Sequence, residues 1–181
     1  MSRGERSSSG EGADPLAVAS PSPFVRTLRV ALAIAAAWCV FTTTHELGHV
    51  PGGWLGGGRL TALELRPWRL PHSFHDPDPW PLLTLWAGPL LGVLLPAAVA
   101  AGVQRPLMTF VASFCLLANG TYLAAGWLAG DSELDTTKLL AAGAGRLPLA
   151  AYSCVTIVTG YVVGRRSLLS LWTTGADRPV A

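Results

Sequence analysis

Charge is what this chain has least of. Only 13% of its 181 residues are Asp, Glu, Lys or Arg, against about a quarter in ordinary soluble domains. That scarcity excludes a conventional water-soluble globular protein. Lysine is rarer still: of thirteen basic residues only Lys138 is a lysine. The formal net charge is +2 and no basic cluster is interleaved with aromatics, which excludes nucleic acid as a partner. Cysteine occurs three times, at Cys39, Cys115 and Cys154, each alone in a different apolar run. The count is odd and no CxxC pair exists, so neither a disulfide framework nor a cysteine-type zinc site is expected. The three thiols read as small buried hydrophobes. There is no internal repeat, and 181 residues suffice for one domain.

What is present is apolar. Half of the residues are hydrophobic and mean hydropathy is +0.41. These values indicate a multi-pass integral membrane protein, with the cell membrane as its expected location. Residues 1–25 are rich in Ser, Gly, Glu and Pro and read as a disordered tail. The first apolar core lies too far from the start for a secretory signal and has no cleavage site behind it, so it reads as an uncleaved anchor. Apolar runs occupy 30–50, 80–103, 107–129 and 147–163, each near the ~20 residues that cross a bilayer. Pro51-Gly52-Gly53 is expected to stop the first helix. That would place its end, and the histidines there, near one membrane face. Gly164-Arg165-Arg166 is expected to stop the fourth, leaving 167–181 as a tail after a membrane domain over 26–166. The fold class is thus an all-α membrane protein of about four transmembrane helices. A short strand-forming loop follows the first helix, because Arg59-Leu60-Thr61-Ala62-Leu63-Glu64-Leu65-Arg66 alternates.

One stretch carries chemistry. His45-Glu46-Leu47-Gly48-His49 closes the first apolar run. On a helix, residues four apart leave the same face one turn apart. Two imidazole nitrogens so placed can each reach one zinc ion at about 2.0–2.1 Å. Glu46 lies beside the first ligand, where a carboxylate can take a proton from water. This is the HExxH pattern of zinc metalloproteases. Three ionisable side chains in a lipid-spanning helix are costly without a cavity, a partner or a metal.

Zinc usually takes three protein ligands, so the two histidines need a third. Asp131, Glu133 and Asp135 are the acidic candidates, all in one segment. A competing reading makes Ser132 and Asp135 a capping box with Asp131 beside it at a helix start. Asn119 stands inside the third apolar run and needs hydrogen-bond partners there; a helix-to-helix bond supplies them. Gly88 and Gly92 form a small face that lets another helix approach. Pro89 frees backbone groups that protein or water must satisfy. His72, His75, Asp76 and Asp78 lie in a proline-punctuated stretch that reads as a hydrated loop.

With these residues in hand, the chain resembles the site-2 protease family of intramembrane zinc metalloproteases. The resemblance rests on His45-Glu46-Leu47-Gly48-His49, Ala87-Gly88-Pro89, Asn119 and Leu134-Asp135-Thr136-Thr137-Lys138-Leu139-Leu140, and covers about residues 30–140. It implies Zn2+ held by His45, His49 and Asp135, with Glu46 as general base. It implies that Asn119 lines a substrate groove and that 54–79 forms a strand-bearing loop at the membrane. Thr136-Thr137 stands where the family has glycines, and Asp131 stays a rival ligand. The implied activity is hydrolysis of peptide bonds in membrane-embedded protein substrates. The alternative is a non-catalytic relative that holds zinc structurally or binds a partner helix. The two tails and the Arg105 loop hold eight basic residues against five in the other loops, which leans towards a cytoplasmic N-terminus; the resemblance implies the opposite, zinc near the cytosolic face and an external N-terminus.

Overall fold

The structure, a computed structural model, describes residues 21–173. Five helices and two strands follow in the order α1 (Pro23–Leu55), β1 (Leu60–Glu64), β2 (His72–His75), α2 (Pro81–Val103), α3 (Pro106–Ala129), α4 (Asp135–Ala141) and α5 (Arg146–Thr173). Four of the helices are long and apolar enough to cross a membrane: α1, α2, α3 and α5. The expected tail over 1–25 lies outside the described residues as far as residue 20, and from Pro23 the chain is helical. Residues 174–181 also lie outside them.

Helix α1 is longer than its apolar run at both ends. Ser22 caps it, its hydroxyl accepting from the Val25 N–H at 3.4 Å, and Pro23 follows in the first turn, where its missing N–H costs nothing. Pro51 does not stop it, which corrects the expected end. The helix runs through to Leu55 and is ended by Gly56-Gly57-Gly58. Gly58 N–H bonds the Gly53 carbonyl at 2.7 Å and Gly57 N–H bonds Trp54 at 3.1 Å. Gly57 takes φ +77°. This paired closure needs a left-handed residue that only glycine adopts cheaply. The hydroxyls of Thr42 and Thr44 are hidden by bonding carbonyls one turn back, at 3.1 and 2.8 Å.

Helix α2 runs antiparallel to α1 at close range. A Cβ on Gly48 would stand 2.5 Å from the Ala87 carbonyl oxygen and 2.8 Å from the Gly88 Cα. Small residues on both helices permit that approach. The Tyr152 hydroxyl donates to the Pro89 carbonyl at 2.7 Å, so α5 supplies a partner beside the proline. Two apolar clusters complete the layer. One joins Ala37 and Phe41 of α1, Phe110 and Cys115 of α3 and Leu171 of α5. The other joins Leu123, Leu139 and Leu149 of α3, α4 and α5.

Leu171 explains a second correction. Helix α5 does not stop at Gly164-Arg165-Arg166 but continues to Thr173, because its last turns still have Ala33 and Phe110 to pack on. The cysteines divide: Cys115 is buried, while Cys39 and Cys154 are exposed on outer helix faces.

The 54–79 segment is a hairpin, not one strand and a hydrated loop. β1 pairs with β2 antiparallel, with Leu60 opposite His75, Ala62 opposite Phe74 and Glu64 opposite His72, and an irregularity between Leu60 and Ala62. At its far end Arg66 forks onto Glu64; that bond holds the Glu64 carboxyl down to about 2.

Candidate metal centre

Three elements bring three side chains to one point. His45 and His49 leave the same face of α1, as their spacing predicts. Asp135 arrives from the first residue of α4. Helix α3 ends at Gly130, and Asp131 then accepts the Glu133 N–H at 2.9 Å in a tight local turn. The chain enters α4 at Leu134, whose side chain caps nothing. The capping box of Ser132 and Asp135 is therefore not made. Asp135 instead turns inward, and Thr136 pins the turn by donating to the Leu123 carbonyl at 2.8 Å.

Asp135 Oδ2 lies 2.8 Å from His45 Nε2 and 3.4 Å from His49 Nε2. The three candidate ligand atoms lie within 4.8 Å of one another; both histidines are buried and the Asp135 side chain is 13% exposed. Among the described residues this is the one group of three His, Cys, Asp or Glu side chains so placed. Asp131 and Glu133 remain exposed at the rim.

The second nitrogen of each imidazole decides what the first can do. His45 Nδ1 faces Asn119 Oδ1 at 2.8 Å. The Asn119 amide nitrogen is committed to the Cys115 carbonyl at 2.9 Å, so its oxygen is the atom turned to His45. His49 Nδ1 faces the Thr84 carbonyl at 2.8 Å. Both partners are acceptors, so each Nδ1 must carry the proton. In neutral imidazoles each Nε2 is then a lone pair. Two lone pairs and a carboxylate oxygen thus converge at one point. Such an array repels itself until a proton or a cation enters it. Its donor set, with one ring nitrogen of each histidine anchored by a second partner, could hold a metal ion.

Asn119 is not among the residues that line the cleft. It is fully buried, turned to His45 and not to a groove. Helix–helix bonding, the simpler reading, describes its bond and gives it a positioning role as well. Gly88 leaves the space for the His49 ring, which a Cβ there would strike.

Glu46 points away from the helix packing into an open cleft. Ser73 of β2 donates to its Oε2 at 3.1 Å. The cleft measures about 560 Å3 and is lined by Glu46, His49 and Asp135, by β2 and by α4. His75 does not lie in a hydrated loop. Its ring packs over Gly53, one turn beyond His49, and burial lowers its pKa. Lys138 of α4 sits 5.2 Å over the Phe74 ring, bridging the two walls.

The depth of the site also differs from expectation. A Cβ on Gly92 would lie 3.3 Å from the His45 Cα and 3.0 Å from the Asn119 amide nitrogen. Gly92 is close to the middle of the 23-residue α2. The histidines thus lie well inside the helical layer, not at its edge, because α1 continues beyond Pro51.

Sequence reasoning missed Thr84, Ser73 and Thr136. Thr84 acts on His49 through its backbone carbonyl, which leaves no trace in side-chain identity. No known protein-family model, curated protein or solved structure matches the chain.

Proposed function

We propose that the chain is an intramembrane zinc metalloprotease of the site-2 protease kind, cleaving peptide bonds in membrane-embedded segments of other proteins. One observation carries this reading: two Nε2 lone pairs, their tautomers set by Asn119 and Thr84, face the Asp135 oxygen inside a membrane-spanning layer. Bound zinc supplies a Lewis acid for a scissile carbonyl and acidifies water. His45, His49 and Asp135 would hold it. Glu46 is the base: Ser73 occupies its Oε2, leaving Oε1 to take a proton from the attacking water and pass it to the leaving amine. β2 lines the cleft with one edge unpaired. An extended peptide laid along that edge finds backbone partners that lipid cannot offer.

The test is Glu46→Gln in purified protein, with zinc content and cleavage of transmembrane-segment reporters read together. Zinc is expected to stay near one ion per chain while cleavage falls about 10²–10⁴-fold, the usual contribution of a positioned base. Equal cleavage by the variant would remove the enzyme reading and leave the alternative of a structural zinc protein. A wild-type protein free of bound metal would leave a protonated histidine–aspartate cluster instead.

A further inference from the structure

The hairpin does more than cover the cleft. Trp38 Nε1–H donates to the Pro67 carbonyl at 3.0 Å. Trp38 precedes His45 by seven residues, about 10 Å along α1. Trp68 reaches farther, bordering a groove with Ala31, Ile34 and Ala35 of α1 and Phe114 of α3. The hairpin thus leaves the C-terminal end of α1 at Gly56, passes the metal centre and ends beside the opposite end of the helical layer. Helix α2 sets that level. Gly52 approaches Thr84 and His45 approaches Gly92, so Val103, at the same rise, falls beside about residue 34. The turn of the hairpin is therefore near the α2–α3 connection, where Arg105 stands.

Two tryptophan layers mark the same two levels. Trp54 and Trp80 are 64% and 68% exposed at one end, and Trp38 and Trp68 are 44% and 78% exposed at the other. Trp54 and Trp38 are sixteen residues apart on α1, about 24 Å, close to the ~27 Å hydrocarbon thickness of a thin bilayer. Exposed indoles gather at such boundaries.

This path reassigns two charges. Taken in chain order, Arg66 and Arg69 belong with Arg59 in one loop on the Trp54 side. In the fold they stand on the Trp38 side with Arg26, Arg29, Arg105, Arg165 and Arg166. Arg59, Lys138 and Arg146 remain opposite, among Asp76, Asp78, Asp131 and Glu133, while Glu64 stays with the turn, paired to Arg66. A weak bias of cationic residues becomes seven against three among the described residues.

We infer that the hairpin turn, residues 66–69, is a headgroup anchor. Arg69 meets the phosphates of anionic lipids in the cytoplasmic leaflet beside the Arg66–Glu64 pair, and Trp38 and Trp68 seat at its boundary. Cationic segments concentrate on that face and are held by its negative potential. The cleft, rimmed by Asp78, Asp131 and Glu133, then opens towards the other face. This does not depend on any protease activity, and it sets the cleft on the face opposite to the cytosolic one that the resemblance implies.

Single-cysteine labelling of the full chain in native membranes tests it. In a background of Cys39→Ser, Cys115→Ala and Cys154→Ser, single cysteines are placed as Arg69→Cys, Arg26→Cys and Asp131→Cys. A membrane-impermeant maleimide is applied to intact cells and then to permeabilised ones. Positions 69 and 26 should react only after permeabilisation, and position 131 in intact cells. The inference is overturned if position 69 shares the sidedness of 131. It is also overturned if 69 reacts from neither face while the references label, or if 26 and 69 react in intact cells. A second arm measures amide exchange of residues 64–70 in phosphatidylcholine vesicles with and without phosphatidylglycerol. The anionic lipid should slow exchange several-fold in the wild type and not in Arg69→Gln. Equal slowing in both, or equal slowing by inorganic phosphate, refutes the lipid contact.

Discussion

Replacing Asn119 by alanine tests the tautomer argument at a distance from the metal itself. Asn119 touches no cleft and would touch no metal; its oxygen accepts only the proton on His45 Nδ1. Alanine leaves that N–H buried without a partner. A stranded buried donor costs about 1–3 kcal/mol. His45 can escape the cost by moving its proton to Nε2 or by turning its ring, and either change removes a ligand. At about 1.4 kcal/mol per factor of ten, zinc binding should weaken about 5- to 150-fold, in the range typical of lost partners behind metal-bound histidines. The assay is zinc competition against a chromogenic chelator in detergent, for wild type, Asn119→Ala and Asn119→Asp. Aspartate keeps an acceptor in place and should bind within a few-fold of wild type. Unchanged affinity in Asn119→Ala would show that His45 does not need its Nδ1 proton fixed, and the argument for two convergent lone pairs would fail.

Two further outcomes follow from the same geometry. Asp135→Ala should abolish stoichiometric zinc while Asp131→Ala leaves it intact, as read by elemental analysis; the reverse result would restore Asp131 as the ligand. Gly88→Ala adds a methyl group against the His49 ring, so zinc affinity should fall at least tenfold while Gly102→Ala, in open space on the same helix, changes nothing. Equal affinity in the two variants would mean that α2 does not position His49.

The residues on α1 were legible because helical spacing alone aligns His45 with His49, and because charge is too rare in a lipid-spanning run to be placed there idly. The four long helices were legible for the same reason. Spacing alone did not choose the third residue of the cluster, although the resemblance implied Asp135. Asp131, Glu133 and Asp135 sit within five residues, and only the left-handed end of α3 and the local turn at Asp131 decide which carboxylate faces inward. Pro51 misled because proline is a strong stop in isolation; here the helix is held by α2 on the Gly48 and Gly52 face and is closed four residues later by three glycines. The depth of the site followed from that error. Thr84 was invisible, since a backbone carbonyl is present at every position and only the register of α2 against α1 selects one. The hairpin hid Arg66 and Arg69, because a count taken in chain order has no knowledge of where a turn ends in space.

The hairpin is moored twice. Its base is tied to Gly53 through Gly58 and overlain by His75, and its turn is tied to Trp38. A flap fastened at both ends cannot swing aside. The cleft beside Glu46 is flanked by β2 and α4, and Lys138 spans these two walls between Glu133 and the Phe74 ring.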